Sequence, residues 1–257
     1  MPVRHLVAVV AFLVGTPMLG AQSAAEQIAL GDQATVAMDA VQAYAHYRDA
    51  IAADSNSYEA LWKAAREAVD LGEFEPDKAR QKAYFAEGEQ YARRAVQIKA
   101  DDAEGHFTLA RALGRVALTL GKKDRVKYGK EVRTQALEAL QYDSLHAGAL
   151  HVLGRWNAEI MRLSGFSRFF AKTFLGGDIF GKASWDSAAY YMAKSVQLEP
   201  GRLVHHLDYA EVLYDRNKGD DRQKAREELE LVINGRATEY NDANYKKEAE
   251  EDMKKYR

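Results

Sequence analysis

Apolar residues along the chain gather at helical spacings around recurring small residues. Leu109 and Leu113 flank Ala110, Leu150 and Leu153 precede Gly154, and Leu207 and Leu213 flank Ala210. This spacing lays a buried stripe along one side of a 3.6-residue helix. A small residue at the centre of the stripe lets a second helix approach to the usual ~8–10 Å between axes, which a larger side chain would prevent. No region alternates with period two between hairpin turns, so strands are not expected. The chain is expected to be all-helical and built from pairs of short antiparallel helices.

The pairs repeat. The first unit runs from about Ala24 to Ser57, with Leu30-Gly31 in one helix, Ala43, Tyr47 and Ala50 in the next, and a turn at Asp54-Ser55-Asn56. Tyr58 opens the next unit 34 residues later, and further units open near Ala103, Ala147 and Leu203. Ala65, Ala110, Gly154 and Ala210 then occupy one register, and AIAADSNS, AVQIKADD, ALQYDSLH and SVQLEPGR are versions of one closing phrase. The period and the small–aromatic–small offsets resemble the tetratricopeptide repeat. That resemblance implies an α-solenoid of about five helix pairs over residues 22–257. Extra residues are expected between the paired helices, with a long insert at about 164–182, and a charged C-terminal helix at about 241–257 is expected to act as a polar cap.

Residues 1–21 read differently. Arg4 precedes the apolar run Leu6–Val14, and Gly15, Pro17 and the small Gly20 and Ala21 follow. This is the order of a secretory signal peptide, and the run is far shorter than the ~20 apolar residues of a membrane span. The expectation is export to the periplasm or beyond. Net charge is −2, from 36 Lys and Arg against 38 Asp and Glu, which favours no nucleic-acid partner. The absence of cysteine excludes disulfides, thiolate nucleophiles and cysteine-held zinc.

Three stretches carry a second resemblance. LWKAAREAVDLGE, YARRAVQIKADDAEGHFTLARALGR and QALEALQYDSLHAGALHVLGRWNAEI, with the insert SGFSRFFAKTFLGG before AAYYMAKSVQLEP, are similar to the tetratricopeptide domain of the regulators of microtubule dynamics. The similarity covers roughly Tyr58 to Tyr214. It implies the helical-repeat fold and a binding role, here in a bacterial, exported member of that family.

Candidate chemistry lies on the first helix of each unit. Trp62, Phe107, His151 and Leu207 stand at the fifth position, and Arg66, Arg111, Arg155 and Glu211 one turn further on. Trp62, Arg66, Phe107, Arg111, His151 and Arg155 are therefore expected on the concave face. One reading is a ladder of guanidinium forks for an acidic or C-terminal peptide segment. The other pairs the arginines with neighbouring acids such as Glu59 and Glu104, which would stabilise the stack. The insert offers a second surface. Phe166, Phe169, Phe170 and Phe174 lie among Arg168 and Lys172, as in a membrane- or partner-docking helix, or fold back over the solenoid together with Phe180.

Enzyme signals are weak. Gly176 to Lys182 approaches a phosphate-binding loop, but Ala183 stands where a Ser or Thr is required and no strand precedes it. The 7 histidines show no metal-ligand spacing, and the lysines from Lys122 to Lys130 read as a solvated loop. The sequence thus predicts a non-enzymatic protein- or peptide-binding scaffold without cofactor or metal. The alternative is a membrane-associated adaptor, or a carrier of a hydrophobic ligand, that uses the 164–182 insert.

Overall fold

A computed structural model describes residues 23–163 and 178–256. These form eleven α-helices and one 3-10 turn, with no strand among the described residues. The helices pair in chain order as α1 (Ala24–Val36) with α2 (Ala40–Ala53), α3 (Tyr58–Glu73) with α4 (Lys78–Ile98), and α5 (Ala103–Thr119) with α6 (Lys122–Tyr142). Next come α7 (Ala147–Arg162) with α8 (Trp185–Leu198), and α9 (Leu203–Arg216) with α10 (Asp221–Asn234), followed by α11 (Asp242–Lys255). Each second helix packs on the first helix of the next pair. Successive first helices also touch one another and so line the inside of the curve. This is the tetratricopeptide-like solenoid of five pairs that the register predicts.

Local chemistry sets the helix boundaries. Ser23 and Glu26 form a capping box at α1, and Asp39, Ser57, Asp77, Asp102 and Ser184 each accept a backbone N–H at the start of a helix. Asn217 ends α9 in the left-handed conformation, which Asn tolerates. The small residues pack as their positions require. A Cβ on Gly31 would come within 2.4 Å of the Tyr47 ring, and one on Gly154 within 2.8 Å of Met192.

Two expectations are corrected. The extra residues of the second and third units are not loops: they lengthen the second helices, since α4 and α6 each have 21 residues against 14 in α2, α8 and α10. Lys122–Lys130 accordingly begins α6, and Arg125 there donates to the Ala117, Leu118 and Leu120 carbonyls that end α5. The C-terminal helix does carry an apolar stripe. Tyr245 and Ala249 are buried, and Met253 and Tyr256 pack beside them on α9 and α10.

Candidate binding face

The inner surface is built from the first helices, and the helical register brings its arginines to one side. Each nevertheless has carboxylate partners within the chain. On α3 the Arg66 guanidinium lies 5.4 Å from the Trp62 ring and donates from Nε and Nη2 to Glu67 Oε1 at 3.1 and 2.8 Å. Burial raises the Glu67 carboxyl above its usual range, and Arg66 partly offsets this. On α5, Arg111 reaches back to α3, where it bonds Asp70 and lies 3.6 Å from Glu73 Oε2. Arg115, one turn on, bonds the other Glu73 oxygen.

Arg155 on α7 turns the other way. It bonds Asp208 on α9, with Glu211 at 3.9 Å and Glu159 at 4.0 Å. The second Asp208 oxygen accepts from His151 Nε2 at 2.6 Å, and the His151 ring stacks on His205 at 4.6 Å. Burial lowers the His151 pKa, so near neutrality it donates as a neutral imidazole. Burial opposes the Asp208 charge, but Arg155 and the His151 bond outweigh it and hold this carboxyl well below the usual range. Arg162 completes this cluster with Asp215 at 2.7 Å, Glu159 at 3.0 Å and Glu211 at 3.1 Å.

The structure thus places Trp62, Arg66, Arg111, His151 and Arg155 on the inner side, while Phe107 serves packing. The Phe107 ring is 7% exposed, lies 4.6 Å from the His146 ring, and would come within 2.6 Å of a Cβ on Gly148. Arg111 and Arg155 bond Asp70 and Asp208; Glu59 bonds Lys63, and Glu104 lies 3.4 Å from His146. Sequence reasoning missed Asp70 and Asp208, although Asp70 stands one turn from Arg66 on the same stripe.

Two further features complete the face. A cavity of about 160 Å³ opens between the α1–α2 turn, α3, α5 and the segment before α11, lined by Met38, Arg66, Asp70, Phe107, Arg202 and Tyr240. Helix α11 then spans the inner surface. Asn241 donates to the Asp70 carbonyl at 2.9 Å, Tyr245 meets Phe74 edge-on at 5.5 Å, and Tyr256 stacks on Tyr214 at 3.6 Å.

The insert residues Phe166, Arg168, Phe169, Phe170, Lys172 and Phe174 lie outside the described residues, as do residues 1–21, where the sequence suggests a signal peptide. Phe180, in the turn Asp178–Lys182, is buried and stacks on Trp156 at 5.8 Å, so the C-terminal end of the insert is held against α6 and α7. Among the described residues no cluster of His, Asp or Glu has metal-site geometry, and no helix is long and apolar enough to cross a membrane.

Helix pairs in register, with their small residues buried at each crossing, define a tetratricopeptide-type repeat protein. A thermophilic TPR protein of Thermus thermophilus has the same fold, with a TM-score of 0.62 and 14% identity over 88% of this chain and 98% of that one. Residues 27–257 match the family described as Regulator of microtubule dynamics protein 1-3, and the chain belongs to that family. It is 24% identical to regulator of microtubule dynamics protein 3 of Rattus norvegicus over 141 residues and 27% identical to that of Xenopus laevis over 110 residues. Those stretches are 55% and 43% of this chain but only 30% and 24% of the relatives, so this chain spans less than a third of either.

Proposed function

We propose that the chain is a non-catalytic scaffold that takes a segment of a partner protein on the inner face of its helix pairs. The observation that carries this reading is that the face already accepts a helix, α11, through aromatic contacts to Phe74 at the end of α3 and to Tyr214 on α9. Repeat proteins of this architecture present such concave surfaces for binding. Near the cavity the rim is unusually apolar: Val36 is 83% exposed, and Met38 and Val41 are exposed beside it. Trp62 and Arg66 are the side chains we assign to partner contact there. Arg111, His151 and Arg155 frame the same face while holding neighbouring pairs together.

The proteins co-purified with the wild-type chain, with Trp62→Ala/Arg66→Glu and with Tyr190→Ala on a second helix provide the test, quantified by mass spectrometry. A partner retained by Tyr190→Ala and lost from the Trp62/Arg66 variant is the expected result. Equal recovery on all three, with folding intact by circular dichroism, would exclude the inner face.

A further inference from the structure

Two histidines stand at the same place in different units. His106 and His206 are each the fourth residue of a first helix, α5 and α9, and both are buried, at 6% and 4% exposure. In each, ring Nε2 meets a carbonyl of the turn before the helix, Ala100 or Pro200, at 2.9 Å. Nδ1 meets a side chain of the paired second helix, Gln135 on α6 at 2.6 Å or Glu228 on α10 at 2.5 Å. The two rings thus tie turn, first helix and second helix together in the same way, and differ in one partner. A carboxamide carries an NH2 group, and its oxygen and nitrogen exchange places by a flip, so Gln135 can donate to Nδ1 and leave His106 neutral. A carbonyl and an ionised carboxylate only accept. Both nitrogens of His206 must therefore carry a proton for its two bonds to form.

We propose that His206 is an imidazolium at neutral pH and serves as a pH-sensitive staple of the fifth helix pair, which loosens when alkaline pH removes its proton. Its charge is paired in a largely desolvated setting, where charge-assisted hydrogen bonds are strong. Burial alone would favour the neutral ring, but the bonds to Glu228 and Pro200 outweigh it and raise the pKa above the usual value. With the folded pKa above the unfolded one, the contribution is complete below about pH 6.5 and is lost as pH rises through the folded pKa. The other polar groups around α9 have partners of their own. His151 and Arg155 of α7 meet Asp208, Ser195 of α8 meets His205, and Asp252 of α11 bears on Glu211. Glu199 beside the turn is bonded to Arg202, and Lys224, one turn before Glu228, is paired with Asp220. Burial, and then Glu228, raise the Tyr209 phenol, so this ring stays neutral over the same range. Because α9 also carries Tyr214, on which Tyr256 stacks, the charge on His206 bears on how firmly α11 is held.

Long-range proton–nitrogen NMR of the histidine rings at neutral pH tests the charge state on the wild-type chain, with each ring assigned through its backbone. Both nitrogens of His206 are expected to be protonated, and His106 to be a single neutral tautomer. A neutral His206 would overturn the proposal. Urea unfolding tests the consequence for the fold. Between about pH 6 and pH 9 the wild-type urea midpoint is expected to fall relative to that of Glu228→Gln, where a carboxamide keeps the staple without its charge. Gln135→Glu is expected to add a second dependence of the same sign at His106. Parallel pH profiles for the wild type and Glu228→Gln would overturn the switch, whatever the charge on the ring. Should either variant fail to fold, the ring spectrum of the wild type still decides whether the staple is charged.

Discussion

Arg111 and Arg155 occupy the same register in successive pairs, yet one reaches backward along the solenoid and the other forward. Arg111 and Arg115 clamp α5 to α3 through Asp70 and Glu73, while Arg155, His151 and Arg162 clamp α7 to α9 through Asp208, Glu211 and Asp215. Between α5 and α7 the junction is apolar, with Phe107 seated on Gly148 and Leu109, Leu113 and Leu153 in one core. The direction follows from where the acids lie. α3 carries them in its last turns, whereas α9 carries Asp208 near its start and Glu211 one turn later. A shared register fixes which side of a helix a residue faces; the sequence of the neighbouring unit decides its partner.

The two clamps differ in burial, and this ranks the expected effects. Asp208→Ala removes the hydrogen-bond acceptor of both Arg155 and His151 in a site where the acid is 6% exposed, leaving Arg155 only Glu211 and Glu159 at 3.9 and 4.0 Å. It is expected to cost about 3 kcal/mol in urea unfolding. Phe107→Ala opens the apolar seam and is expected to cost about 3 kcal/mol by the same measurement. A loss below about 1 kcal/mol would place Phe107 on an exposed ledge instead. Asp70→Ala is expected to cost less, about 1 to 2 kcal/mol, because Glu73 remains near Arg111 and the site is more open.

The smallest effect is one of pH. Burial, and then Asp208, push the Glu211 carboxyl up to about 7, above its value in the unfolded chain. The proton it keeps stabilises the fold fully at pH below the unfolded value, about 4.3, and that contribution is lost as pH rises through about 7. Glu211→Gln removes this dependence. Relative to wild type, the variant is expected to gain on the order of 1 kcal/mol between pH 5 and pH 8, once solvent screening is allowed for. An unchanged difference across that range would show that Glu211 titrates as an ordinary surface carboxyl.

The repeat was legible because close packing constrains composition directly. Ala65, Ala110, Gly154 and Ala210 are small because a helix crosses there, and each is buried. The partners of the arginines were not legible from register, since pairing depends on acids one unit away and on the direction of superhelical curvature. Helix α11 was concealed by its composition. Its Lys and Glu residues suggest a solvated cap, whereas Tyr245, Ala249, Met253 and Tyr256 share one side at spacings of four and three. The corresponding signal at 122–142 is the helix-forming Lys, Glu and Arg content, which lengthens α6 where an insertion suggests a loop.

The central claim is that the periodic arginines join neighbouring units of the solenoid. A double-mutant cycle on Arg111→Ala and Asp70→Ala, read as unfolding free energy, tests it most directly. The pairing seen here predicts a coupling of about 1 to 3 kcal/mol, while additivity within about 0.5 kcal/mol in folded variants would contradict it.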